Sequence, residues 1–558
     1  MFNRIIVLLS LALAAPLVAL TPAERVSQDV TLYVEGAPLA EGLTSMRTLV
    51  SSIAGEGVWS LMAANFEQKT GINLLDTARL EEIGINTKQQ WGLAVNMDLA
   101  TPTNTPRPEF VMVIPTTGGR RLYDFLKAKV TESQFPINKE IESGRLLHFG
   151  SENDPGYLLN TDDALLVANK LEMVKAMSSK ASQPITNAQF YSAMRTHLLS
   201  KNKNKEPLAA FYLNPKLIVS SLKAQSEMLR NLQKELNKGE NAAAPIDENS
   251  PYVAEIRDNL QSSGGALIAN GERVSFYFSY KYKEGYLSDM SKIYPKIIQV
   301  KTSPLASDSL TRNPLHYTLL KFNLMGALEL FQSLSPVFTQ KYKQGVEEIR
   351  KEMGLDIEKQ IISTLRGNFN FQVLSIPPEA KTKDVEAWEL YGAFGINDGS
   401  SENWVKFFKA IEKLSKKQAA TSKSKKKRPT FEYDEDDNGK FVIMTSEERI
   451  GGKRKPVSVV VLIRENEVIV SNTRANAIKA TKSSATTLSE RLIRMPYDAA
   501  QGIFFLDLQQ IYKYMMKSKE AAAMKNYAVM LEKLKSFSII SSIQGDFATA
   551  ETTLQLKK

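Results

Sequence analysis

The stretch Phe66-Glu67-Gln68-Lys69-Thr70-Gly71-Ile72-Asn73-Leu74 returns in pattern, half a chain later, as Ile349-Arg350-Lys351-Glu352-Met353-Gly354-Leu355-Asp356-Ile357. Each ends a helix-like run with Gly and continues apolar, Asn or Asp, apolar. Gly just past a helix is the natural left-handed C-cap, and Asn or Asp two residues on can cap the next helix. The flanks recur in the same order. Asp29–Val34 and Leu315–Leu320 each read as a strand leading into a long helical pattern, and Trp91–Met97 and Phe369–Ile376 read as the strands that follow. Next, Glu109–Ile114 with Leu122, Phe125, Leu126 and Val130 parallels Glu389–Phe394 with Val405, Phe408, Ile411 and Leu414: strand then amphipathic helix, both times.

Further out, Gly156–Asn160 turns at Thr161-Asp162-Asp163 into Ala164–Ala168, and Val457–Ile463 turns at Arg464-Glu465-Asn466 into Val468–Ser471. Ala210–Asn214 matches Ile503–Asp507, and each half closes on strands, Ala266–Ile268 and Val274–Tyr282 in the first, Ser538–Ile543 and Phe547–Leu556 in the second. Hairpins interleaved with helices predict an α+β fold. It has two related halves from an internal duplication, each a mainly antiparallel sheet with helices packed on one face. In Val274–Tyr282, apolar Val274, Phe276, Phe278, Tyr280 and Tyr282 alternate with Ser275, Ser279 and Lys281, the pattern of a sheet with one buried and one wetter face. The expected organisation is a signal peptide over 1–23, a first repeat domain over 24–298, a linker over 299–314, and a second repeat domain over 315–558 with a charged loop at 413–440.

The signal peptide is read from Arg4 followed by an apolar run from Ile5 to Leu20, broken only by Ser10 and Pro16, and then the polar Thr21–Gln28. That run is shorter than the ~20 apolar residues of a spanning helix. Export to the periplasm or cell envelope follows as an expectation. The chain has 558 residues, 71 Lys plus Arg against 61 Asp plus Glu, three His and no Cys. Absence of Cys excludes disulfides, thiolate metal sites and a Cys nucleophile. The formal charge of +10 is concentrated in Lys413, Lys416, Lys417, Lys423, Lys425, Lys426, Lys427 and Arg428, directly before the acidic run Glu432–Asp437. Lys416, Lys417, Lys423, Lys425, Lys426, Lys427 and Arg428 form a candidate surface for an anionic membrane. The segment lacks the interleaved aromatics of a nucleic-acid site, so no nucleic-acid partner is expected.

Catalytic signals are sparse. His148, His197 and His316 have no metal-ligand spacing, and there is no HExxH, nucleophile elbow or phosphate-binding loop, so no metal and no cofactor is expected. Lys69-Thr70-Gly71 with Ser220-Ser221-Leu222-Lys223 superficially matches serine penicillin-binding enzymes. The order is reversed, however, and Ser-Asp-Asn is missing. Asp162 and Asp163 are neighbours on a turn and point apart, which is turn chemistry rather than an acid–base pair. Glu432–Asp437 lacks the spacing of an EF-hand loop. Leu222, Met228 and Leu229 in the first half and Met515, Met516 and Met524 in the second lie on Met-rich helical patterns that could line an apolar groove.

Thr70–Ile85, with its Thr-Gly-Ile-Asn-Leu-Leu and Leu-Glu-Glu-Ile-Gly-Ile elements, followed by the Trp91–Met97 strand, resembles an uncharacterised family of bacterial exported proteins known only as a domain of unknown function. The resemblance implies an envelope location and carries over no catalytic residues. The expected function is therefore a non-enzymatic binding or scaffold protein of the bacterial cell envelope, its partner an envelope protein or lipid. Two alternatives stand beside it: a periplasmic carrier of lipid or another apolar ligand, and a hydrolase without a recognisable motif.

Overall fold

The computed structural model describes residues 20–96, 108–133, 136–141, 144–152, 154–203, 205–215, 251–269, 271–298, 314–334, 336–377, 387–421, 429–450, 453–481, 499–517 and 531–557. The signal segment up to 19, the linker residues 299–313, and Ser220–Lys223 lie outside them. The chain divides into two compact units, Met1–Ser221 with Ser262–Gly271, and Leu222–Gln261 with Glu272–Lys558.

The first unit runs α1 (Pro22–Arg25), β1 (Leu32–Gly36), α2 (Leu39–Ala54), α3 (Glu56–Thr70), α4 (Thr77–Glu82), β2 (Trp91–Asn96), β3 (Glu109–Pro115) and α5 (Arg121–Glu132). It continues with β4 (Ile137–Ile141), β5 (Leu146–Ser151), β6 (Asp154–Asn160), β7 (Ala164–Ala168), α6 (Leu171–Ala176), α7 (Gln189–Lys201), β8 (Ala209–Leu213) and β9 (Leu260–Ala269). The second unit holds α8 (Pro251–Asn259), β10 (Arg273–Tyr282), α9 (Ile293–Ile298), β11 (His316–Lys321), α10 (Leu324–Leu334), α11 (Pro336–Met353), α12 (Ile357–Gln360), β12 (Leu365–Ser375), β13 (Glu389–Ile396) and α13 (Ser401–Thr421). It ends with β14 (Thr430–Asp436), β15 (Gly439–Ile450), β16 (Lys453–Ile463), β17 (Glu467–Ser471), α14 (Arg474–Ala480), β18 (Ala500–Asp507), α15 (Leu508–Lys517), β19 (Leu534–Gln544) and β20 (Phe547–Leu556).

The strand pairs in the two orders that follow are antiparallel. The first unit's order is β9-β8-β1-β2-β3-β7-β6-β5-β4. The second unit's is β10-β20-β19-β18-β11-β12-β13-β17-β16-β15-β14. From β19 onward, the second order is the first with ten added to every strand. Although β10 precedes residues 299–314 in the chain, it pairs with β20 along its length and belongs to the second unit.

The quoted glycines do what their sequence demands. Gly71 (φ 77°) and Gly354 (φ 66°) are left-handed, and each donates its backbone N–H to the carbonyl four residues back, Glu67 and Arg350. Asp356 caps α12 by accepting from the Lys359 amide at 3.2 Å. In the first unit the cap comes three residues later: Asp76 accepts from Ala78 N at 2.9 Å, while Asn73 closes a local turn onto Leu75 N.

Three expectations need correcting. The α+β class holds, but helices pack on both faces of the second unit's sheet, not one. Val461, Ile463 and Val468 pack with Trp404 and Phe408 of α13, whereas the alternate residues Val460, Leu462 and Ile469 pack with Ala477 and Ala480 of α14. Within the expected loop at 413–440, residues 413–421 form the end of α13 and 430–440 belong to the β14–β15 hairpin. Asp434 and Asp436 on β14 grip Arg474 of α14 at 2.5 and 2.8 Å, and the Arg474 guanidinium lies 4.2 Å over the Phe441 ring. The third concerns β10. Here Ser275, Tyr277 and Ser279 are buried, at 0, 3 and 0% exposure, while Phe276 is 43% exposed, and of the even-numbered aromatics only Tyr282 at the strand's end is buried.

Candidate ligand-binding groove

The inversion of β10 has a chemical cause on β20. Ser275 Oγ pairs with Thr553 Oγ1 at 2.7 Å, Ser279 Oγ with Thr549 Oγ1 at 3.0 Å, and the Tyr277 hydroxyl donates to Glu551 Oε1 at 2.8 Å. Thr553 Oγ1 donates to the same carboxylate oxygen at 2.9 Å. Polar groups that satisfy one another can be buried at little cost. With Phe276, Phe278 and Tyr280 on the other side of the pleat, the hydroxyl ladder turns them away from the buried face.

Register carries that outer face across the second unit. Phe276 lies opposite Thr552, which lies opposite Ile539, then Phe504, Thr318 and Phe371. The next row is Phe278, Ala550, Ser541, Gly502 and Leu320. Phe276, Ile539, Leu320 and Phe371 are 39 to 50% exposed. His316, on the same face as Thr318, packs its ring 5.0 Å from Phe504 and 5.8 Å from Phe371, and burial lowers its pKa. A neutral imidazole suits these apolar neighbours.

Beside β10 the face deepens into a groove of about 200 Å³, lined by Phe278, Tyr280, Tyr294, Ile298, Gln501, Ser541, Ser542, Ile543, Ala548, Thr549 and Ala550. Phe278 and Tyr280 meet edge to face at 4.8 Å. The wall, α9, is positioned by Glu255 of α8, whose carboxylate accepts from the backbone N–H of Ile293 and Tyr294, both at 3.1 Å, and from the Tyr286 hydroxyl at 2.7 Å. Tyr294 in turn contacts the rings of Tyr252 and Tyr282. At the opposite end of the same strands lies a cavity of about 460 Å³ lined by Glu272, Arg273, Lys535, Gln555, Leu556 and Lys557.

The residues singled out in the sequence are placed differently. Met515 is buried on α15 against Ile511, Tyr512, Tyr514 and Leu531, and Met516 is 44% exposed. Leu222, Met228, Leu229 and Met524 lie outside the described residues, as do Lys423, Lys425, Lys426, Lys427 and Arg428. Lys416 and Lys417 on α13 pair with Glu412 and Glu352. Asp162 is exposed at the hairpin tip, and its neighbour Asp163 binds the buried Arg25, which also donates to the carbonyls of Met177 and Ser178. His148 stacks on Tyr157 at 4.7 Å.

A second polar cluster, in the first unit, gave no motif in the sequence. Glu35 on β1 is 3% exposed and accepts from Tyr191 (2.7 Å), Tyr212 (2.6 Å) and Arg195 (3.1 Å), and Arg195 also reaches Glu206 at 2.5 Å. Burial raises the Glu35 pKa, opposed by these hydrogen bonds and by Arg195. Strand register puts Leu319 where Glu35 stands, so the cluster has no counterpart in the second unit. Every oxygen of this carboxylate is occupied by a side chain of the fold, which suits a structural pin.

No family model and no curated protein matches the chain. Among solved structures, crystal form IV of TP0453 aligns with a TM-score of 0.24 and 10% identity, covering 47% of this chain and 81% of that one. Crystal form III of TP0453 gives 0.25 and 11%, covering 47% and 80%. Both likenesses lie below the similarity that marks a common fold.

Proposed function

We propose that this chain is an exported, non-enzymatic binding protein of the cell envelope that holds an apolar ligand on the outer face of its second sheet. One observation carries the reading: over Ser275–Ser279 of β10 and the stretches of β20 and β19 beside it, hydroxyls are buried while Phe276 and Ile539 are turned out. A sheet face that buries apolar side chains stabilises a fold by ~25 cal/mol per Å². Leaving such a row exposed forgoes that gain, and contiguous exposed apolar patches mark interaction sites. The groove at Phe278 and Tyr280 supplies concavity at one end of the row.

Export rests on the Ile5–Leu20 run, and the shared strand order supports descent of the two units from one duplicated ancestor. Among the described residues no helix is long and apolar enough to cross a membrane. The carrier reading is preferred to the scaffold reading because Phe278, Tyr280 and Tyr294 give the groove an aromatic lining suited to a slender apolar chain. Phe276→Ser combined with Ile539→Ser tests it by titration with an apolar fluorescent probe. Both side chains are exposed, so the double variant folds. Probe affinity is expected to drop at least tenfold, and unchanged affinity would contradict the assignment.

A further inference from the structure

The outward face of β11 departs in polarity from the same positions of β1. Register aligns β11 and β18 with β1 and β8: Thr318 stands opposite Phe504 where Val34 stands opposite Phe211, and His316 opposite Leu506 where Leu32 is opposite Leu213. The β18 residues keep the aromatic and aliphatic character of their β8 counterparts, while Leu and Val on the neighbouring strand become His and Thr. These two side chains bond each other, with His316 Nε2 and Thr318 Oγ1 2.9 Å apart. On the other side, β12 places Val373 opposite His316 and Phe371 opposite Thr318. The first unit shows that Leu and Val are compatible with this strand and its pairing, and polar atoms among apolar neighbours cost stability. The pair therefore serves the face rather than the fold.

We infer that the ligand is a neutral lipid bearing a hydroxyl, its polar end held by the His316–Thr318 pair and its hydrocarbon tail in the groove at Phe278 and Tyr280. This rests on the apolar-ligand reading above and adds the polar end of the ligand. A threonine hydroxyl offers one donor and two acceptor sites, and the imidazole takes one of them, so Thr318 keeps hydrogen-bonding capacity toward a ligand. The headgroup is neutral because the neighbours of the pair on β18 and β12, Phe504, Leu506, Phe371 and Val373, carry no charge to balance a carboxylate or a phosphate. Burial also holds the imidazole toward its neutral form, against a hydrogen bond with the Phe505 backbone that works the other way. The tail has a route on the same face. Ser541 in the groove lies opposite Gly502 of β18, which lies opposite Leu320 of β11, so groove and pair are two strands apart, about 10 Å at ~4.8 Å per strand.

The test uses the purified full-length chain at about pH 8 and three probes: diphenylhexatriene, a fluorescent hydrocarbon without a polar group, and decanol and decanoate, each read by its displacement of the hydrocarbon. His316→Leu with Thr318→Val installs the residues of the first unit. That variant should weaken decanol about tenfold, the worth of one hydrogen bond left unmade, and leave diphenylhexatriene affinity unchanged. Decanoate is expected to bind the unsubstituted chain about tenfold more weakly than decanol. Decanol affinity that survives in the variant, or a parallel loss of diphenylhexatriene, would overturn the role of the pair while keeping the apolar site. Decanoate binding as tightly as decanol would overturn the neutral headgroup. If none of the three binds the unsubstituted chain, the apolar-ligand reading fails and the headgroup with it. Should the double variant melt well below the unsubstituted chain, Thr318→Val alone, a hydroxyl exchanged for a methyl, carries the same comparison with the same outcomes.

Discussion

Glu35 shows how much one residue can hold. Its carboxylate accepts from Tyr191, Tyr212 and Arg195 across β1, β8 and α7. Removing one partner of a buried ionic network leaves the others unsatisfied, so Glu35→Ala should cost about 3 kcal/mol. The check is a lower melting temperature with unchanged groove binding, because the cluster and the groove belong to different units. His197 on α7 gives a pH signature. Burial, and then the charge of Lys201, push its imidazole down to about 4. The unfolded chain takes up that proton near pH 6.5, so stability is full above 6.5 and falls as pH drops toward 4. The gap is worth on the order of 3 kcal/mol. His197→Gln should flatten the melting temperature between pH 6.5 and 4, and a curve that keeps its slope would reject the assignment. Neither residue announced itself in the sequence. Glu35 sits in an ordinary strand and its partners are more than 150 positions away, so their convergence is a product of topology.

At the scale of elements, the local signals were legible and the long-range ones were not. Gly71 and Gly354 marked helix ends because no other residue enters the left-handed region so cheaply. The turns at Thr161–Asp163 and Arg464–Asn466 were likewise readable from their residue types, and both join antiparallel strands. The β14–β15 hairpin was not. Five acidic side chains within Glu432–Asp437 suggest a solvated loop until Arg474 is brought beside Asp434 and Asp436. β10 is the telling case: its period of two was plain, but which face is buried depends on β20. The ladder should therefore behave as a coupled pair. Ser275→Ala and Thr553→Val singly should each destabilise by about 1 kcal/mol, and a double-mutant cycle should show coupling of about 1 kcal/mol. Additive effects would mean that the hydroxyls are not partners in solution.

Over the whole molecule, the two strand orders coincide from β19 onward, but the chemistry does not. The first unit buries Glu35 among Tyr191, Tyr212 and Arg195 where the second has Leu319, and the second buries Glu551 in the β10–β20 ladder. The outward apolar rows of β10, β19, β18, β11 and β12 belong to the second unit, so a ligand should be lost by changes there and spared by changes in the first. The Met-rich helices chosen from the sequence are a weaker guide. Met515 is packed away against α15's own neighbours, and helical spacing alone cannot tell a core stripe from a groove. The most direct measurement is native mass spectrometry of the chain purified gently from its own host, compared with its mass under denaturing conditions. The account predicts the excess mass of a bound apolar ligand, lost on denaturation and absent from the Phe276→Ser, Ile539→Ser variant. A bare chain, or an adduct that survives in that variant, would contradict it.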